Sequence, residues 1–445
     1  MGEEILQRAN ISWKDPEFLQ EPQLEAQLRE TFEICNTCRK CTSLCDSFPR
    51  LFRLVDSAQE KDVKSISPRR FSDVIDACTL CDMCYPICPY IAPHEYQVDF
   101  PSMVVRYRAV QRRKGVRNFQ QEQLGKTDRN GRFFCHWSRF VNWVTNKENI
   151  FSRLVMQWVA GIDRSAVLPR FQSQRFSQLS EIKQKGINPD APGAGRKVVI
   201  YATCFVEYNN ADIGRSAKRV LEKNGIEVEV AYSACCGMPQ LEGGNLEAVS
   251  SKAGSISYEL AQWVDRGYDI VTLIPSCSLM LKSTWPMYLP DNDDVRKVAL
   301  NTYDICEYMV ELLRTDGIAE GLQTINGDIV LHHACHAQAQ NLGPKSAVIL
   351  RLIPGSRVTV TQQCSGHGGT WGVLARNHHV AVELASPLVD RIISEDCRYF
   401  SSECPLAGNH ISEGIAQTRK QDASNSYRFF HPIELLAKSY GVEIS

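Results

Sequence analysis

Apolar residues recur every three to four positions through QLEAQLRETFEIC, PRLFRLVDSA and SPRRFSDVIDA, a period that predicts helices over most of the first hundred residues. Residues 1 to about 34 read as a polar lead-in ending in the first of these helices. Pro89, Pro93 and Pro101 then break the pattern, since proline removes a backbone donor. Residues 104–185 keep a helical period but change in character. RYRAVQRRKGVRNF carries Arg106, Arg108, Arg112, Arg113, Lys114 and Arg117, and Trp137, Phe140, Trp143, Phe151 and Trp158 punctuate the stretch beyond it. Two readings fit this connector. One is a surface helix resting on a membrane or docking a partner subunit. The simpler one, carried forward as the expectation, is a linker whose aromatics pack on the neighbouring domains while its charges face water.

From Lys197 the period changes. KVVIYATC, IEVEVAYS and DIVTLIPSC read as short strands, ending on or running into Cys204, Cys235-Cys236-Gly237 and Cys277, and they alternate with the helical RSAKRVLEKNG, EAVSSKAGSISYELAQWVDRG and YDICEYMVELLR. Such alternation predicts an α/β unit with a mostly parallel sheet. The GAG of GINPDAPGAGRK precedes a strand instead of following one, so it is a flexible boundary and no dinucleotide fingerprint.

The second half of this region retraces the first. Cys335 of DIVLHHAC lies 131 residues after Cys204, Gly366 lies 129 after Gly237, Cys404 lies 127 after Cys277, and Glu434 of HPIELLAK lies 127 after Glu307. The near-constant offset marks an internal duplication. The expected architecture is multidomain: a helical two-cluster ferredoxin-type domain (1–103), a helical basic and aromatic connector (104–196), and a duplicated α/β domain of two lobes (197–322 and 323–445). Open parallel sheets bind ligands at their strand ends, and the cysteines fall there.

Composition narrows the function classes. The 445 residues are 43% hydrophobic and 23% charged, ordinary for a globular chain, and the net charge of -1 argues against general nucleic-acid binding. No apolar run approaches the roughly 20 residues needed to span a bilayer. MGEEILQRANISWKD shows no basic-plus-apolar leader, so the expectation is a cytoplasmic protein, or one held peripherally at the inner face of the cell membrane. Eighteen cysteines in that compartment read as metal ligands instead of disulfides.

Cys78, Cys81, Cys84 and Cys88, followed by Pro89, have the C-x2-C-x2-C-x3-C-P spacing of a cubane iron-sulfur cluster, and Cys35, Cys38, Cys41 and Cys45 repeat it without the proline. In two-cluster ferredoxins the fourth cysteine of each run serves the other cluster. Cys88 is therefore grouped with Cys35, Cys38 and Cys41, and Cys45 with Cys78, Cys81 and Cys84, giving two 4Fe-4S clusters. In the lobes, Cys204, Cys235, Cys236 and Cys277 supply four thiolates, suited to a cubane or to zinc. Cys335, Cys364 and Cys404 supply three, because Ser365 stands where the repeat expects a second Cys236. Three soft ligands suit a 3Fe-4S cluster, a 4Fe-4S cluster with an open iron, or zinc completed by His332, His333, His336 or His367. Gly366, Gly368 and Gly369 would let backbone N–H groups approach cluster sulfurs. Cys135, Cys306 and Cys397 fit no ligand pattern and read as buried hydrophobes.

With both motif sets, the chain resembles the ferredoxin-CCG fusion iron-sulfur proteins, a superfamily that includes the iron-sulfur subunits of anaerobic glycerol-3-phosphate dehydrogenase and of glycolate oxidase, and the corresponding subunit of heterodisulfide reductase. The resemblance covers about residues 30–440. It implies an electron-transfer subunit relaying electrons between a flavin-bearing or other redox partner and a quinone or a thiol/disulfide acceptor. YFSSECPLAGNHI is similar to stand-alone members associated with rubrerythrin-type partners. Heterodisulfide reductases end each catalytic lobe in C-x-x-C, whereas Met280 and Ala407 stand at those positions here, which weakens disulfide cleavage as the reaction. The alternatives are a catalytic disulfide, persulfide or quinone reductase at the lobes, and a zinc-stabilised docking module.

Overall fold

The computed structural model describes residues 8–183, 186–418 and 428–442; the stretch read for a leader lies partly outside these. The first domain is helical. α1 (Glu21–Cys38) buries Leu24, Leu28, Thr31 and Phe32, the i, i+4, i+7, i+8 stripe of one helix face. α2 (Ser47–Asp56) buries Phe48, Leu51, Phe52 and Val55 against it. α3 (Phe71–Ile75) and α4 (Phe100–Arg113) close the core. Phe32 meets Phe71 edge-on at 5.1 Å between ring centroids, and Phe48 meets Phe100 at 4.9 Å.

Most of the basic run on α4 is consumed internally. Arg106 is buried and donates to the carbonyls of Phe18 (2.7 Å) and Glu17 (3.0 Å). Arg108 reaches the carbonyls of Ile75 (3.0 Å), Cys78 (2.6 Å) and Glu242 (3.0 Å), Arg112 pairs with Glu122 at 3.0 Å, and Lys114 pairs with Glu21. Arg108 thus ties the helical domain to the first lobe, while Arg113 and Arg117 stay exposed.

The connector folds as α5 (Phe119–Leu124), α6 (Thr127–His136), α7 (Ser138–Thr145) and α8 (Ile150–Ala160). Beyond α8 it is stapled to the second lobe: Asp163 N donates to Val373 O and Ala375 N to Gly161 O, both at 2.8 Å.

Each lobe is a four-stranded, all-parallel sheet. The first contains β1 (Lys197–Tyr201), β2 (Glu227–Ala231), β3 (Asp269–Thr272) and β4 (Thr302–Asp304) in the order β2-β1-β3-β4. The second contains β5 (Ile329–His332), β6 (Val358–Thr361), β7 (Tyr399–Ser402) and β8 (Phe429–Phe430) in the order β6-β5-β7-β8. The duplication is therefore carried by topology, down to matching capping boxes at the last helix of each lobe: Asp304 with Glu307, and His431 with Glu434. Two details differ from the sequence reading. The short strands β4 and β8 are additional to it. Cys204 and Cys277 do not end their strands; β1 stops at Tyr201 and β3 at Thr272, and both cysteines sit in short helices (Thr203–Tyr208 and Pro275–Leu279) just beyond. A cysteine in a first helical turn faces the space above the sheet, while one in the strand would alternate across it.

Candidate metal centres

α1 delivers Cys35 and Cys38 on its last turn, where Arg39 turns left-handed (φ 50°) and swings the chain round toward Cys41 and Cys45. In the second run Leu80 and Asp82 are left-handed (φ 52° and 58°), coiling Cys78 to Cys84 into a loop. The thiols sort into two sets. Burial first, then the charges of Cys41, Cys88 and Cys38, push Cys35 well up; burial, then Cys88 and Cys38, push Cys41 up to about 11. Burial, then Cys78, pushes Cys45 up to about 12, and Cys84 is raised by burial and by Cys81, Cys78 and Cys45. Backbone N–H groups oppose the rise: those of Ser47 and Phe48 reach Cys45, that of Met83 reaches Cys81 and that of Tyr90 reaches Cys88. Buried thiols that cannot ionise together, with amides aimed at the sulfurs, are a donor set for a cluster whose iron supplies the compensating charge.

The first-lobe thiols are tighter. Cys277 Sγ lies 3.4 Å from Cys236 Sγ, and Cys235 is in side-chain hydrogen-bonding reach of both Cys204 and Cys236. Gly237 (φ 96°) makes the turn that lets the paired cysteines face one point. Below them, fully buried Trp285 donates Nε1 to Cys236 O (3.0 Å), and the Tyr201 hydroxyl donates to Ala234 O (2.5 Å). Above them sits Asp128 of α6, a residue with no sequence signal. Its carboxylate accepts from Cys235 N (3.0 Å), the Tyr232 hydroxyl (2.5 Å) and Lys252 Nζ (2.9 Å). The connector thus pins the Cys235-Cys236 loop from 107 residues away.

In the second lobe, Cys335 is raised by burial and by the charges of Cys404 and Cys364. Gly366 (φ 68°) donates its N–H to Cys364 Sγ at 3.3 Å, and a Cβ there would lie 1.9 Å from Ala381 O, so only glycine fits. Ser365 is buried beside Cys364. A second device absent from the first lobe supports this site: buried Glu403 accepts from Ala334 N (2.6 Å) and Ser346, and lies 2.9 Å from His333 Nδ1. Burial works against its charge, but those partners hold Glu403 below the usual carboxylate range. This fixes the two loops that carry Cys335 and Cys404.

Of the four histidines considered as ligands, His332 contacts Ser402 Oγ (3.0 Å), His333 contacts Glu403, and His336 Nε2 contacts Leu80 O (2.9 Å). Only His367 among these four buries a ring nitrogen, Nε2, with no partner among the described residues. Cys135, Cys306 and Cys397 are buried, away from the thiol sets.

Three of the four thiol sets adjoin one another. Cys81 feels the charges of Cys335 and Cys364, Cys45 that of Cys364, and Cys404 that of Cys277. A cavity of about 1660 Å³ joins them, lined by Cys81, Cys277, Cys364 and His367 together with the connector's Phe133, Trp137 and Phe140.

Two families match this arrangement: the Citrate utilization protein B Fer4-like domain over residues 28–114, and the Cysteine-rich domain CCG over residues 198–282. The chain joins a Fer4-like domain to a CCG cysteine-rich domain. The fusion is similar to the C subunit of anaerobic glycerol-3-phosphate dehydrogenase from Escherichia coli, 25% identical over 334 residues, 74% of this chain and 78% of that protein. Lactate utilization protein A of Bacillus cytotoxicus is 27% identical over 213 residues, 46% of this chain and 84% of that protein. The second lobe lies beyond the CCG match, and the shared strand order carries its relation to the first. Iron-sulfur chemistry, an electron-transfer role and a redox partner subunit follow at this level. Among the described residues no helix is long and apolar enough to cross a membrane.

Proposed function

We propose that this ferredoxin-CCG fusion carries electrons from a flavin-bearing dehydrogenase subunit to a quinone in the central cavity. The observation that carries the reading is the adjacency of Cys45 and Cys81 to Cys335 and Cys364, which sets the ferredoxin thiols against the second lobe; Cys35, Cys38, Cys41 and Cys88 stand at the far end of the proposed path. Iron-sulfur clusters, when bound, supply one-electron transfer at each set. The chain's own part is to hold the sets in line, exclude water by burial, and aim amides at the sulfurs. His336 ties the second lobe to Leu80 in the loop of Cys81, keeping those two sets in register.

The first-lobe quartet fits a different metal. A tetrahedral zinc with bonds of about 2.3 Å places its sulfurs about 3.8 Å apart. A cubane, with eight atoms of its own between the thiolates, needs a wider opening. The contact at 3.4 Å between Cys236 and Cys277 therefore favours a single zinc ion for the first lobe, outside the electron path, with Cys204 and Cys235 closing on it when it binds, since among the described residues no three ligating side chains already stand at ion-holding distance. The quinone is favoured over a disulfide by the apolar aromatic wall of the cavity and by the unpartnered nitrogen of His367, a ready hydrogen-bond partner for a carbonyl oxygen.

The test is anaerobic reduction of the holoprotein by its dehydrogenase partner, followed by quinone reduction. Cys84→Ala abolishes transfer to the quinone while the partner's own flavin is still reduced by substrate. Transfer at the wild-type rate in this variant would overturn the relay.

A further inference from the structure

The connector is folded inside out. On α8, Arg153 is 1% exposed and donates to the carbonyls of Arg164 (3.0 Å), Thr145 (3.3 Å), Asp163 (2.7 Å) and Ala166 (2.5 Å). The apolar stripe of the same helix points away from the protein: Ile150, Phe151, Leu154, Val155, Trp158 and Val159 are all exposed, Phe151 by 80% and Trp158 by 87%. Spacings of one, four, five, eight and nine residues put them on one helix face. Phe133, Trp137 and Phe140 repeat the pattern across α6 and α7, each about three-fifths exposed. A helix packed for water does the reverse, and the expectation that these aromatics cover the neighbouring domains is overturned. Ordering a buried guanidinium on four carbonyls fixes the orientation, so the stripe is a built surface and not a loosely packed one.

We infer that α6 to α8 seat this protein on a lipid bilayer, with Trp158 and Phe151 entering the acyl boundary of one leaflet. Two observations single out lipid as the occupant. Within Phe119–Ala160 the cations Lys126, Arg129, Arg132, Arg139 and Lys147 are exposed, while Glu148 is the one exposed acid among the described residues. Aromatics bordered by cations match the boundary between acyl chains and anionic headgroups, whereas a polar protein surface would leave the stripe unmatched. Finally, the patch is continuous with the central cavity, because Phe133, Trp137, Phe140 and Val159 are exposed and also line it. A lipid-soluble molecule would pass from the leaflet to Cys364 without crossing water. That access route rests on the quinone reading above; the seat on the bilayer does not.

The experiment is co-sedimentation of the holoprotein with phosphatidylcholine vesicles, with and without phosphatidylglycerol, alongside the double variant Phe151→Ser, Trp158→Ser. Wild type binds the anionic vesicles with a blue-shifted tryptophan emission. The double variant binds ~100-fold more weakly, about tenfold for each aromatic withdrawn from the bilayer, and keeps wild-type reduction of a water-soluble acceptor. Both substituted side chains are exposed, so folding and metal content are unchanged. No binding to either vesicle, equal binding by the double variant, or a wild-type dimer that the substitutions dissolve without lipid would each overturn the inference. Vesicle binding that persists while quinone reduction fails supports the bilayer seat and removes the quinone instead.

Discussion

Removing one thiol from each lobe separates the two kinds of centre. The first-lobe quartet has a sulfur–sulfur contact of 3.4 Å, while the ferredoxin thiols act on one another through charge. On ligand counts the proposed reading expects about 8 iron in the ferredoxin domain, about 3 to 4 more at Cys335, Cys364 and Cys404, and about one zinc in the first lobe. Cys236→Ala leaves three thiols at the zinc site, so zinc falls toward zero while iron stays at about 11 to 12. Cys364→Ala leaves two thiols in the second lobe, so iron falls to about 8 while zinc holds. The assay is iron, zinc and sulfide quantification on anaerobically purified protein, with EPR of the reduced form. If Cys236→Ala instead lowers iron by about 4 with no zinc in the wild type, the inference from thiol contact to single-ion site is refuted. Equal metal content in both variants would refute the second-lobe site as well.

Three further substitutions probe the scaffold. Arg153→Met strands four carbonyls that now share one guanidinium, so we expect a loss of about 3 to 4 kcal/mol in thermal unfolding together with loss of vesicle binding; a melting temperature within a degree of wild type would contradict it. Glu434 lies buried with Oε1 unpartnered, and burial lifts its pKa from 4.5 to about 7. Its proton is favoured by the fold, so its stabilising contribution is full below about pH 4.5 and is lost as pH rises through about 7; Glu434→Gln should gain about 3 kcal/mol at pH 8 and nothing at pH 4.5, read from denaturant curves at the two pH values. Ser365→Cys restores the fourth thiol of the second lobe, so iron content is kept or raised while quinone reduction falls at least ~10-fold and reduction by dithionite is preserved; undiminished quinone turnover would show that no open position is used.

The ferredoxin ligands are legible because cluster geometry dictates their spacing, and spacing is a sequence quantity. The lobes are legible through repetition: Cys335, Cys364 and Cys404 gain weight from Cys204, Cys235 and Cys277. The fourth strands are not, since β4 has three residues and β8 two, too few for a period to declare itself. Asp128 is hidden for a different reason. A carboxylate at the start of a linker helix looks like any first-turn acid, and its role exists only because the fold brings Cys235 N to 3.0 Å. The connector shows the general limit. Periodicity reveals that a helix has two faces, but not which one meets the protein. The simpler expectation turns the stripe of Phe151 and Trp158 inward, whereas four carbonyls claim Arg153 for that side.

On the proposed relay, the differences between the two lobes suit the second as the exit for electrons. Their sheets have one strand order, so differences between lobes are differences of side chain. Where the first has Cys236, Lys282, Ala202 and Ser276, the repeat places Ser365, Asn409, His333 and Glu403 in the second. In the first lobe, Lys282 pairs with Glu307 at 2.6 Å, Trp285 lies buried under Cys236, and Asp128 closes the loop above. Trp285 and Asp128 both hold the Cys235-Cys236 loop of a complete set of four thiols. The second lobe has given up the fourth thiol and the lysine, leaving Glu434 without that partner, and has committed a buried His333–Glu403 pair to holding the loops of Cys335 and Cys404 instead. A site that loses a ligand yet gains dedicated support for the remaining ones is being kept open, and Cys364, exposed to the cavity beside His367, is where it opens.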